Sequence, residues 1–185
     1  MSKIFISYPI TNGFSWTITS KLGNILRSAE EKYGNRDQSY TILGVEFTQD
    51  EIPQIWYPGN CKHIVIQITM NCMDDFNRAI YQVAHEAIHC LSPTGRNGAS
   101  VLEEGLATLF SIEYTFANKN GIWTPSDQKY INASELVKQL ISIDSEIIKK
   151  LRMIQPTISL IDKDLIIQTN SNVPAKLADK LTKVF

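Results

Sequence analysis

No stretch of this sequence approaches the roughly 20 apolar residues that a membrane-spanning helix needs, and no membrane partner is expected. Charge of one sign is missing too: Lys plus Arg number 18 against 19 Asp plus Glu. That balance lacks the basic surplus (a domain pI above about 9) of a nucleic-acid binder, so no nucleic acid is expected either. Cysteine is scarce. Cys61, Cys72 and Cys90 make an odd number without CxxC spacing, which excludes a disulfide-stapled scaffold and suits reduced thiols. The opening Met1-Ser2-Lys3-Ile4-Phe5-Ile6-Ser7-Tyr8-Pro9 is too short and polar for a secretory h-region, so a cytoplasmic location is expected. Internal repeats and low-complexity tracts are absent. What remains is a chain of 185 residues with 43% apolar side chains, enough for one buried core and a single domain over 1–185.

The hydrophobic period changes along the chain. Ser15 to Tyr33 reads as a helix, with Trp16, Ile18, Leu22, Ile25, Leu26 and Ala29 roughly on one stripe. Residues 40–47, 54–57 and 63–70 read as extended, and His63–Met70 is the densest in β-branched residues. From Asp74 to Leu91 the period becomes helical, with His85 and His89 off the apolar stripe. Further helices are expected over Ser100–Ala117, Ser134–Met153 and Pro174–Val184, and a short apolar piece at Ile158–Ile161. The charged run Glu146–Arg152 reads as a solvated face. The order implies an α+β fold: an N-terminal helix and mixed sheet over residues 1–91, then a helical part over 98–185.

One motif carries chemistry. His85-Glu86-Ala87-Ile88-His89 is an HExxH pattern, and it holds two of only three histidines in the chain. Residues four apart on a helix share a face, so both imidazoles can reach one metal ion. The glutamate between them can take a proton from a nearby water. Zinc of catalytic type usually has three protein ligands. The next carboxylates are Glu103 and Glu104. Ser100-Val101-Leu102-Glu103 fits a capping box, which gives Glu103 a local structural task. Glu104 lies off the Leu102, Leu106, Leu109, Phe110 stripe, and Gly105 is expected to let its helix approach the motif helix. Glu104 is therefore the expected third ligand, with Glu103 as the alternative.

His85-Glu86-Ala87-Ile88-His89 followed by Glu104-Gly105-Leu106-Ala107 resembles the gluzincin metallopeptidases, across about Ile64 to Tyr114. The resemblance implies a zincin-like fold, one Zn²⁺ held by His85, His89 and Glu104, and Glu86 as general base. It also implies a peptide or protein substrate lying extended along the strand before the motif helix, here His63–Met70, with a plain core strand as the alternative reading of that segment. Three departures stand out. The gap from His89 to Glu104 is shorter than in aminopeptidases, no Gly-Ala-Met-Glu-Asn-type motif precedes the helix, and position 108 is Thr108 rather than an acidic residue. Tyr114, Tyr130 and His63 are candidates to hydrogen-bond the oxyanion. Cys90 reads as a small buried thiol. The expected activity is that of a zinc-dependent peptidase. The alternatives are an intracellular protease acting on a specific repressor-type protein, and a non-catalytic protein stapled by zinc.

Overall fold

The computed structural model describes residues 3–59, 62–95, 98–121 and 123–185; Asn60 and Cys61 lie outside them. A small hairpin comes first, β1 (Pro9–Ile10) with β2 (Gly13–Phe14), followed by α1 (Ile18–Tyr33), β3 (Thr41–Thr48), β4 (Gln54–Trp56) and β5 (His63–Thr69). Six further helices complete the described chain: α2 (Phe76–His89), α3 (Val101–Ala117), α4 (Gln128–Ile143), α5 (Ile147–Ile154), α6 (Lys163–Thr169) and α7 (Ala175–Leu181). The mixed α+β composition expected from the sequence is present, with strands before the helical half.

β-branched side chains determine where the sheet is deepest. Ile64, Ile66 and Ile68 of β5 have no solvent exposure, and β5 is the central strand of the order β3-β5-β4. It pairs in parallel with β3 and antiparallel with β4. The expectation that His63–Met70 would be the cleft edge is therefore corrected. A strand hydrogen-bonded on both sides has no free edge for a peptide, and β4 is the antiparallel edge instead. Helices α1 and α2 pack against β3 and β5. A polar ladder also ties the three strands together: Glu46 Oε1 accepts hydrogen bonds from Trp56 Nε1 and Gln67 Nε2, both at 2.8 Å, and Gln67 Oε1 accepts one from Gln54 Nε2 at 3.0 Å. Cross-strand pairs of this kind fix the register of a short edge strand.

Helix α3 lies between α2 and α4 and is buried on nearly every side. Its close approach is to α4. A Cβ on Gly105 would meet the Ala133 carbonyl oxygen at 2.5 Å and Val137 Cγ2 at 2.8 Å. The expectation that Gly105 admits the motif helix is thus corrected. It admits α4, and with it Tyr130, three residues before Ala133.

Other boundaries moved for local reasons. The first helix begins at Ile18, with Thr17 and Ser20 forming a capping box, and Trp16 before it is 53% exposed. The single helix expected over Ser134–Met153 starts earlier and is broken at Asp144, whose side chain accepts from the Glu146 N–H at 3.0 Å and so closes a turn. The tail expected to continue a helix to Val184 instead folds back on the start of α3. Val101 N donates to Lys183 O at 2.9 Å, and Phe185 N to Ala99 O at 3.0 Å.

Arg152 departs most from its expected solvated face. It is 7% exposed, and its guanidinium donates to the carbonyls of Tyr33 (2.8 Å), Gly34 (2.6 Å), Asn35 (2.9 Å) and Leu91 (3.2 Å). One cation thereby joins the C-terminal ends of α1 and α2, where the helix dipoles favour positive charge.

Two glycines in helices offer a matched test of the packing. Gly105→Ala should lower stability in denaturant titrations by about 1–3 kcal/mol, because rigid backbone blocks the new methyl. Gly23→Ala in α1, where a Cβ meets nothing within 4 Å, should raise it by about 0.5–1 kcal/mol. Equal effects would contradict the close α3–α4 packing.

Candidate metal centre

Two helix ends of opposite polarity meet at the site. The last two turns of α2 carry His85, Glu86 and His89, and the first turn of α3 carries Glu103 and Glu104. A helix N-terminus favours carboxylates and a C-terminus favours cations, so the backbone itself supports acids on α3 facing imidazoles on α2. Asp75 caps α2 by accepting from Arg78 N at 2.9 Å. Ser100 caps α3 by accepting from Glu103 N at 3.3 Å.

The imidazoles of His85 and His89 stand one turn apart, with ring centroids separated by 5.3 Å. His85 Nε2 lies 3.2 Å from Glu104 Oε2, and His89 Nε2 lies 3.6 Å from Glu104 Oε1. One donor atom from each of these three residues falls within 4.8 Å of the others. Two imidazole nitrogens and a carboxylate oxygen are the donor types zinc accepts. The residues fit a divalent cation.

Glu103 departs from its expected local role. The Ser100 half of the capping box forms, but the Glu103 carboxylate turns to His89, with Oε1 2.9 Å from Nδ1. Thus both nitrogens of His89 face carboxylates of neighbouring residues. No spacing signal announces this, because the box pattern supplied a sufficient local explanation for Glu103.

Electrostatics follow from crowding. Burial alone would lower the His89 imidazolium, but its Glu103 hydrogen bond and the charges of Glu104, Glu86 and Glu103 push it up to about 10. Burial raises the Glu86 carboxyl above the usual carboxylate range, against the pull of both histidines. For Glu104 burial also acts upward, yet the His85 hydrogen bond and the two imidazole charges carry it below that range. Without a metal, this pocket holds a proton where a cation fits.

The cluster opens into a cleft of about 710 Å³. Its lining includes β4 and its approach, with Ile52, Ile55 and Trp56, and also Pro125 and Tyr130. Tyr130 sets its ring edge-on to His85 at 5.9 Å and packs on Phe185 at 4.8 Å. Burial, then the nearby Glu104 and Glu86 charges, push its phenol up to about 12, so it keeps its proton at neutral pH. Tyr114 and His63 do not line the cleft. Tyr114 packs on Phe110 at 5.7 Å, and His63 is exposed at the start of β5. Cys90 is buried, and burial raises its thiol, which suits the inert role expected of it.

Compared with protein-family models, with curated proteins and with solved structures, the chain shows no match.

The raised His89 has a stability consequence. A group whose folded pKa exceeds its unfolded value stabilises fully below the unfolded value, 6.5, and loses that contribution as pH climbs through the folded value of about 10. The melting temperature of metal-free protein should fall over this window. The buried Cys72 thiol, raised to about 11 by desolvation, acts with the same sign, so the comparison is with His89→Asn, whose slope should be shallower. Identical slopes would contradict the charge coupling.

Proposed function

We propose that the protein is a zinc-dependent peptidase with a zincin-like active site. The supporting observation is the convergence of His85, His89 and Glu104 donors, with Glu86 between the histidines, beside a cleft walled by an edge strand. Zinc bound there would polarise a peptide carbonyl and lower the pKa of a bound water towards about 7.

The remaining roles belong to the chain. Glu86 is 3% exposed, and a buried carboxylate of raised proton affinity is suited to take a proton from the attacking water and return it to the leaving amine. Tyr130 holds its proton and supplies a hydrogen bond to the developing oxyanion. β4 pairs with β5 alone among the described strands, so an extended peptide can add to its other edge. Apolar groups of Ile52 and Trp56, 65% and 39% exposed, would then meet substrate side chains. A zinc-stapled scaffold has less support, since a structural site gains nothing from a buried glutamate placed beside the ligands.

Metal content and turnover separate these readings. Glu86→Gln should keep stoichiometric zinc and lose about 10²–10⁴-fold in peptide hydrolysis, the range for general acid–base catalysis. His85→Ala should lose zinc and activity together. Wild-type rates in Glu86→Gln would overturn the proposed mechanism.

A further inference from the structure

We infer that Glu103 is the positioning carboxylate of the metal centre: it holds His89 in the tautomer that presents Nε2 to a metal, while its neighbour Glu104 acts as ligand. The inference rests on the proposed metal site and concerns a residue that the capping pattern had assigned to helix geometry.

The donor capacity of an imidazole sets the constraint. A neutral ring has one N–H and one lone pair, and the partner of one nitrogen decides which the other carries. Glu103 Oε1, 2.9 Å from His89 Nδ1, accepts the proton on that side. When a metal replaces the second proton of the metal-free imidazolium, the lone pair is therefore on Nε2, which lies 3.6 Å from Glu104 Oε1. The Glu103 side chain is 8% exposed, so water competes little for its carboxylate. Adjacent residues on a helix point about 100° apart, yet both reach His89 because the ring presents its two nitrogens on different sides. This geometry divides two like charges between two tasks.

Other nearby groups leave the task to Glu103. Thr108, one turn beyond Glu104, is fully buried and its hydroxyl has no hydrogen-bond partner among the described residues. Glu113 pairs with Lys32. Asp127 caps α4 by accepting from Lys129 N at 2.8 Å. A carboxylate holding a ligating histidine typically changes metal affinity by 10–100-fold when removed.

The test measures zinc affinity by competition with a chromophoric chelator, alongside the visible spectrum of the Co²⁺-substituted protein and the melting temperature. Four variants are compared: Glu103→Ala, Glu103→Gln, Glu104→Gln and Ser100→Ala. Glu103→Ala should weaken zinc binding about 10–100-fold yet show the wild-type Co²⁺ spectrum at saturation. Glu103→Gln, whose amide oxygen can still accept the Nδ1 proton, should recover most of the loss. Ser100→Ala removes the helix cap and should lower the melting temperature with affinity unchanged. Unchanged affinity in Glu103→Ala, with a melting loss like that of Ser100→Ala, would reduce Glu103 to a cap residue and overturn the inference. So would an altered Co²⁺ spectrum in Glu103→Ala with Glu104→Gln unaffected, which would make Glu103 the ligand. Absence of stoichiometric metal in the wild type would instead remove the metal-site reading, and this inference with it.

Discussion

His89 sits where the C-terminus of one helix meets the N-terminus of the next, with a carboxylate against each ring nitrogen, Glu103 at 2.9 Å and Glu104 at 3.6 Å. Burying three glutamates and two histidines together is costly unless their charges are compensated. The helix dipoles compensate part of that cost, and a proton on His89 compensates more. A divalent cation would compensate more again, and the donor types of His85, His89 and Glu104 suit one.

The rest of the fold keeps those helix ends in place. Gly105 lets α4 settle on α3 close enough for Tyr130 to meet His85 edge-on, and Phe185 packs on Tyr130 in turn. The pairing of the tail with Ala99 and Val101 holds the start of α3, one turn before Glu104. Behind α2, the Arg152 guanidinium holds the Leu91 carbonyl, two residues past His89. These contacts come from distant parts of the sequence, and they converge on the two short segments that carry the chemistry.

Much of this was legible in the sequence where local chemistry decides. The Ser100 cap, the start of α3 and the HExxH helix follow from side chains within a few residues. The brought-together triad of His85, His89 and Glu104 follows from helical spacing plus one choice between adjacent glutamates. Tertiary decisions were not legible. A run of β-branched residues marks a strand but does not say whether it is central, so the sequence left β5 open between edge and core, and the fold makes it central with β4 at the edge. A glycine beside a ligand indicates a close approach without naming the partner, which proved to be α4. Arg152 reads as solvated by its neighbours, whereas four backbone carbonyls from two other segments bury it. Glu103 had a sufficient local explanation, and only the folded chain reveals its second partner.

A zinc site built from His85, His89 and Glu104 has a direct spectroscopic signature. X-ray absorption at the zinc edge of the protein loaded with one equivalent tests it most directly. The expected spectrum is a shell of nitrogen and oxygen only, with the multiple-scattering signature of two imidazoles, lost in His85→Ala. A shell containing sulfur, or one unchanged in His85→Ala, would contradict it.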